Sequence, residues 1–393
     1  MERVLIVHNY YQQSGGEGNV AENEAALLRN HGHSVFFYTR NNTEIAGYGP
    51  IQRLVMAFST LFSFKTYRQV RALISKEKID IVHVHNTVPL ISPSVYYAAW
   101  SLHVPVVQTV HNYRFLCPNG LFYRDGHVCR DCVEKGLVCS VRHGCYRGSK
   151  VQTMLLALTM GLHRLLGTYR RIEGVICLTG FAAETLSKAF PKERIYIKPN
   201  IVDVPSTPLA YQAHGEDYVF FGRLDQQKGV FVLLEAFEKL PQCKLTIIGG
   251  GPEQAAMEAY IKTHHMDNVV MKGQLAHDEA LEYVKHARAV VLPTQLYEGL
   301  PLTLLESFAL GTPVFGSKLG NVGAVLSKWG GGFLFDQTDP EALSACIRQH
   351  SREALQTASK EGILAAKALC DPEKNYETLM EIYRFAAAGR QGQ

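Results

Sequence analysis

Short, unbroken runs of β-branched and aliphatic residues recur along this chain. Most are followed by a Gly- or Pro-marked loop and then a helical pattern. Val4-Leu5-Ile6-Val7 and Ala289-Val290-Val291-Leu292 are the clearest. A strand buried on both faces reads this way, and such strands belong to parallel sheets covered by helices. The chain is therefore expected to be α/β. Its 393 residues exceed one ordinary core, which points to two domains.

The stretch Pro293-Thr294-Gln295-Leu296-Tyr297-Glu298-Gly299-Leu300-Pro301-Leu302-Thr303-Leu304-Leu305-Glu306 begins where one such run stops. Gly299 and Pro301 shape a tight loop, and a helix is expected from about Thr303 to Leu310, closed by Gly311 and Pro313. Free N–H groups at a helix start bind phosphate, and the macrodipole adds to that. Carboxylates beside such a site accept hydrogen bonds from hydroxyls, as the acidic residue of a dinucleotide site does with ribose. Glu298 and Glu306 flanking a helix start thus suggest a phosphate between two polyols, which is a nucleotide-sugar. Taken alone the pattern is common by chance and reads first as a surface loop with two solvated glutamates. Its place at the carboxyl end of a strand, where open α/β sheets bind ligands, favours the site.

In the first half, Val4–Val7 leads into Ser14-Gly15-Gly16-Glu17-Gly18 and a helix from about Asn19 to His31. The glycines favour close backbone approach to a phosphate, although no dinucleotide fingerprint is present. Residues 51–78 read as a helical region with a basic surround. It is either a core helix with solvated charges or a face for an anionic membrane. His83, His85 and Asn86 end one strand, with His83 read as a core histidine. His111 sits at the carboxyl end of the next strand, facing the ligand side.

Residues 114–150 break this rhythm and hold Cys117, Cys129, Cys132, Cys139 and Cys145. Cys129-x-x-Cys132 has zinc-knuckle spacing, and Cys117 and Cys145 could complete a closed structural zinc site, with Cys139, His127 or His143 as rivals. Free thiols are the alternative. The apolar stretch near residues 149–167, flanked by arginines, is a second candidate for membrane contact.

The second half repeats the pattern. Tyr218-Val219-Phe220-Phe221 ends in Gly222-Arg223-Leu224-Asp225-Gln226-Gln227-Lys228-Gly229, where an Arg and a Lys five apart can grip one diphosphate. Gly249-Gly250-Gly251-Pro252 forms another close-approach loop.

Charge is uneven. Residues 1–198 carry 23 Lys+Arg against 13 Asp+Glu, whereas the remainder carries 17 against 23. A basic half beside an acidic one suggests an anionic partner, and without a nucleic-acid-binding motif that partner is read as a phospholipid surface or an anionic acceptor. Met1-Glu2-Arg3 leads directly into a strand, so no export signal is expected, and no run is apolar enough to span a bilayer. The expected setting is cytoplasmic, peripheral on the inner face of the cytoplasmic membrane.

Together, Ser14-Gly15-Gly16, His111, Gly222-Arg223-Leu224 with Lys228-Gly229, Gly249-Gly250-Gly251-Pro252, and Glu298-x7-Glu306 followed by Gly311-Thr312-Pro313 resemble family 4 glycosyltransferases. The cysteine-bearing segment is similar to a branch of bacterial surface-polysaccharide enzymes. The resemblance implies a GT-B fold, two Rossmann-like doubly wound parallel-sheet domains facing across a cleft. It implies domains at 1–199 (with the insert 114–150) and 200–374, and a helix at 375–393 packing back on the first.

The resemblance further implies a retaining transfer of a hexose-type sugar from a nucleotide-diphosphate sugar to a glycan or lipid-linked acceptor. Arg223 and Lys228 would neutralise the leaving diphosphate, Glu306 would hold ribose and Glu298 the donor sugar. Backbone near Leu300, Leu302 and Thr303, together with Gly15, Gly16 and Gly250, would approach the phosphates. His111 would touch the sugar near the reacting carbon. No cofactor is implied for the chemistry. A nucleotide-sugar epimerase, a non-catalytic sugar-nucleotide-binding subunit and a zinc-dependent hydrolase are the competing expectations.

Overall fold

The computed structural model describes residues 1–11 and 16–391 and divides into two compact units. Unit 1 comprises residues 1–122, 130–201 and 372–393, and unit 2 comprises 123–129 and 202–371.

Unit 1 is built on β1 (Arg3–Tyr10), β2 (Ser34–Asn41), β3 (Ile81–Val84) and β4 (Val106–Val110). A two-stranded hairpin, β5 (Tyr123–Arg124) and β6 (His127–Val128), belongs to unit 2, and β7 (Gly174–Cys177) and β8 (Ile195–Ile197) complete the first sheet. The six strands are parallel in the order β2-β1-β3-β4-β7-β8. The order reverses between β1 and β3, and crevices form outside the carboxyl ends at such a switch point. Central strands such as β3 and β4 are buried along their whole length, which is why they read as continuous apolar runs. One face is covered by the Gly16–Asn30 helix through Ala21, Ala25 and Leu28, and by the Pro372–Gln391 helix through Leu379, Ile382 and Tyr383.

The helical region expected over 51–78 is in fact two helices, Pro50–Leu61 and Phe64–Glu77. Ser63 makes the break, because its hydroxyl caps the second helix by accepting the Thr66 N–H. The segment 114–150 holds the hairpin and two short helices, Asp131–Glu134 and Val138–His143.

Unit 2 contains β9 (Tyr218–Phe221), β10 (Leu245–Ile248), β11 (Val269–Gly273), β12 (Ala289–Leu292), β13 (Val314–Ser317) and β14 (Gly332–Phe335). They form a parallel sheet in the order β11-β10-β9-β12-β13-β14, with the switch between β9 and β12. That reversal sets the loop after β9, carrying Arg223 and Lys228, beside the loop after β12, carrying Glu298. The core joins Phe220, Leu233, Phe237, Ile247, Val291 and Phe315.

Candidate active site

In unit 2 the chain crosses between the two loops at very short range. Gly229 has φ +73, and a Cβ there would run into the Pro293 carbonyl oxygen. Gly249, at φ +139, would meet Gly222 in the same way, so only glycine fits either position. The Leu224 N–H donates to the Gly250 carbonyl at 3.0 Å, lacing the Gly249–Gly251 loop to the Arg223 loop. The Gln295 N–H donates to the Gln227 carbonyl at 2.9 Å, which brings Lys228 against Glu298.

Lys228 Nζ lies 2.5 Å from Glu298 Oε1, and the Thr294 hydroxyl donates to the same oxygen at 2.9 Å. The Asn321 amide donates to the backbone carbonyls of Glu298 and Gly299, fixing the loop between them. Arg223 pairs with Asp225 at 2.7 Å and keeps 51% of its side chain exposed, so its fork still faces solvent. Both cations expected to meet a diphosphate are thus held by a neighbouring carboxylate, and an arriving diphosphate competes with those carboxylates for them.

The Leu302–Leu310 helix begins at Pro301, which offers no side-chain cap. The Thr303 hydroxyl donates to the Phe221 carbonyl at 3.3 Å, tying the helix start to the end of β9. Leu300 is buried beneath the loop. Glu306 is buried in the helix, with His277 3.1 Å from its Oε1. Burial raises the Glu306 carboxyl above its usual range, and His277 opposes that rise. Asp225, Asn321 and His277 were not singled out in the sequence. Only the first lies near a singled-out residue in sequence.

In unit 1, Gly16 opens the Gly16–Asn30 helix, whereas Ser14 and Gly15 lie outside the described residues. His111 follows β4 and lines a pocket of about 610 Å³, a volume that includes its solvent-filled mouth. Val88, Tyr96, Phe115, Leu156 and Met160 make much of the wall, and His85, Asn112 and Arg114 supply polar groups. Burial, with His85 and His8 nearby, holds His111 well below the ordinary histidine value, so it is neutral at pH 7. The Asn112 amide donates to Glu17 at 2.9 Å, and burial raises that carboxyl. Arg114 donates to the Tyr11 hydroxyl at 3.3 Å. Glu17 and Arg114 carried no signal in the sequence beyond their neighbours.

None of the nine cysteines is in a disulfide. Cys117 Sγ donates to Asn119 Oδ1 at 2.9 Å. The Cys132 thiol beside it, opposed by burial and aided by the backbone N–H groups of Phe122, Gly120 and Asn119, brings the Cys117 thiol down to about 6. Cys145 lies in unit 1 with them, while Cys129 belongs to unit 2. Among the described residues, the group of His, Cys, Asp or Glu whose ligand atoms all lie within 4.8 Å of one another is Glu24, His83 and His85. No three of the described unit 1 cysteines come that close.

Two family models match the chain, Glycosyltransferase Family 4 over residues 14–205 and Glycosyl transferases group 1 over residues 212–362. The amylovoran biosynthesis glycosyltransferase AmsK of Erwinia amylovora is 29% identical over 174 residues, 41% of this chain and 42% of its own. Alpha-monoglucosyldiacylglycerol synthase of Streptococcus pneumoniae is 23% identical over 337 residues, 79% of this chain and 69% of its own. The chain spans only 41%, 34% and 33% of the length of the first curated relatives it matches.

Among solved structures, sucrose-phosphate synthase from Thermosynechococcus elongatus superposes with a TM-score of 0.73 at 19% identity, over 99% of this chain and 100% of that one. Anabaena HepE in complex with UDP-glucose superposes at 0.64 and 15% identity over 100% of both. With two six-stranded parallel sheets and these matches, the chain belongs to the family 4 glycosyltransferases and has the two-domain, Rossmann-like GT-B fold.

Proposed function

We propose that this protein transfers a hexose-type sugar, with retention, from a nucleoside-diphosphate sugar to a glycan or lipid-linked acceptor. We place the reaction in the assembly of a bacterial cell-surface polysaccharide. The observation that carries the reading is the gathering of Arg223, Lys228, Glu298 and the Leu302–Leu310 helix start at the switch point of the second sheet. That set suits a diphosphate flanked by hydroxyls. AmsK is named for a polysaccharide, the S. pneumoniae relative for a glucosylated lipid, and HepE holds UDP-glucose, all of which support it.

In the proposed reaction the bond between the anomeric carbon and the phosphate oxygen breaks. The acceptor oxygen bonds to the same face of that carbon, and its proton passes to the leaving phosphate. Charge grows on that phosphate, so fixed cations and a helix N-terminus act where the transition state needs them. Lys228 and Arg223 are proposed to serve there in place of a metal ion. Glu306 takes the ribose hydroxyls, Glu298 the donor sugar, and backbone at Gly250, Leu300, Leu302 and Thr303 the phosphates. The pocket lined by His111 is proposed to serve the acceptor side and the reacting sugar.

A melting screen of nucleotide-sugars, followed by measurement of nucleoside diphosphate released with and without a lipid extract, tests this. Acceptor-dependent release with a glycosylated product is expected. Turnover without acceptor supports an epimerase, and ligand stabilisation without turnover supports a binding subunit.

Among the described residues no helix is long and apolar enough to cross a membrane. Two neighbouring helices of unit 1 nevertheless expose apolar side chains. They are Pro50–Leu61 with Ile51, Val55 and Phe58, and Lys150–Leu165 with Val151, Met154, Leu158, Leu162 and Leu165. Neither helix carries an acidic residue, Lys150 opens the second, and Lys65, Arg68, Arg71, Arg170 and Arg171, all exposed, follow them within a few residues to three turns of chain. Exposed apolar side chains with basic residues close in sequence suit an anionic bilayer, so we place the protein peripherally on the inner face of the cytoplasmic membrane. Cosedimentation with vesicles containing phosphatidylglycerol should fall at least tenfold in a Leu158→Glu/Leu165→Glu variant, and unchanged binding refutes the placement.

A further inference from the structure

Behind His111 a line of buried groups runs inward, and the proposed chemistry uses only its outer end. His111 Nε2 is 3.0 Å from His85 Nδ1, with the two rings stacked at 5.2 Å. His85 Nε2 is 3.4 Å from Glu24 Oε1. Glu24 comes from the Gly16–Asn30 helix, and its other oxygen is 2.7 Å from Lys198 Nζ. Glu24 and Lys198 are 2% and 4% exposed. Burial alone would raise the Glu24 carboxyl, but Lys198, followed by His83, holds it well below the usual range. It is therefore a carboxylate at neutral pH and can only accept hydrogen bonds.

This determines where the protons lie. His85 Nε2 and Glu24 Oε1 are both buried and neither completes a hydrogen bond among the described residues, so the carboxylate 3.4 Å away is the polar group that Nε2 faces. Neutral His85 has one N–H. Placed on Nδ1, it would leave the Nε2 lone pair facing a carboxylate in a low-dielectric core. Placed on Nε2, it faces that carboxylate favourably and leaves Nδ1 as an acceptor. His111 must then donate from Nε2, because neutral imidazole carries one N–H and the two facing nitrogens cannot both be bare. His83 approaches Glu24 Oε1 from its own side, with Nδ1 at 2.8 Å. The same nitrogen is 2.8 Å from the Tyr383 hydroxyl, and Nε2 is 2.8 Å from the Thr109 hydroxyl. Either nitrogen of His83 can carry its proton, because the Tyr383 and Thr109 hydroxyls can each donate or accept.

We propose that Glu24, acting through His85, is a positioning residue that locks His111 in the tautomer with its proton on Nε2, leaving Nδ1 as an unprotonated acceptor. The role of His111 in sugar transfer rests on the function proposed above, whereas the tautomer does not. The alternative occupant of this cluster is a divalent cation on Glu24, His83 and His85. Lys198 argues against it, since a single carboxylate would have to balance an ammonium and a dication together. Carboxylates behind a histidine fix the tautomer in the same way in hydrolase triads and at metal-bound histidines.

The test is histidine-selective ¹⁵N and ¹³C NMR on the full chain at pH 7, with His111 assigned by difference from His111→Gln. The proton is expected on Nε2 of both His111 and His85. In Glu24→Gln the amide donates to His85 instead, so both rings should switch to the Nδ1–H form. If that variant does not fold, Glu24→Gln/Lys198→Met removes both charges and should show the same switch. A wild-type His111 protonated on Nδ1, or a folded Glu24→Gln variant with unchanged tautomers, overturns the proposal. So do His83 and His85 signals that move to metal-bound values on adding zinc or cobalt.

In parallel, Glu24→Gln should lower kcat between ten- and a hundredfold with little change in KM for the donor. A wild-type protein that transfers no sugar but shows the Nε2–H ring refutes the function and leaves the positioning role standing.

Discussion

Replacing Lys198 with Met puts a number on the buried charge pair at the centre of unit 1. Lys198 and Glu24 are nearly inaccessible, so salt and water screen their 2.7 Å contact little. Methionine nearly matches lysine in length and leaves no cavity, which isolates the loss of charge. An uncompensated buried carboxylate costs about 3–5 kcal/mol. At about 2–4 °C per kcal/mol for a unit of this size, the melting temperature should fall by about 6–20 °C. The double variant Glu24→Leu/Lys198→Met removes both charges and should recover most of that loss, since apolar replacements of buried pairs are often neutral.

The sign of the pH dependence follows from the depressed Glu24 value. Wild-type stability from this group is present above the unfolded carboxyl value, about 4.3, and is lost as pH falls toward the folded one. Lys198→Met should flatten that acid limb, because the main attraction holding the carboxyl down is gone. Calorimetry or denaturant titration from pH 3 to 8 reads both effects. A loss below about 1 kcal/mol at pH 7, or a double variant less stable than the single one, would refute the reasoning.

Lys228→Ala should lower kcat for nucleoside diphosphate release about 10²–10³-fold, the usual effect of removing one donor to developing charge, and a change confined to KM contradicts the role. Glu306 carries a carboxyl raised chiefly by burial, so its contribution to stability is present below about 4.3 and falls as pH rises through its folded value. Glu306→Gln should remove that alkaline-going loss, and parallel melting curves for both proteins would exclude it. A structural zinc on the cysteines of segment 114–150 is also proposed, on the Cys129-x-x-Cys132 spacing. Elemental analysis should find one zinc per chain that is lost in Cys132→Ser, and a metal-free protein with a chelator-insensitive melting temperature counts against it.

The strands were legible because burial on both faces leaves a local mark, an unbroken apolar run such as Ala289–Leu292. The site loops were legible because glycines at Gly229 and Gly249 record close backbone approach. The helical region expected over 51–78 is divided in two for a local reason as well. Apolar spacing continues through Phe62, and only the Ser63 hydroxyl marks a new helix start.

What the sequence does not display is pairing across distance. Glu24 and Lys198 are 174 positions apart, and each stands in a stretch where a solvated charge would look the same. Lys228 and Glu298 are 70 apart, so the two could be assigned to one ligand but not to each other. His83 and His85 share a face by the alternation of a strand, and His111 stands at the end of the adjacent strand. Periodicity could bring those rings near one another but could not orient them. The proton on His111 depends on a carboxylate from a helix whose own pattern contains no hint of it. Chemistry at the strand ends is thus set partly by charges two residues deep in the core, where sequence patterns register burial but not partnership.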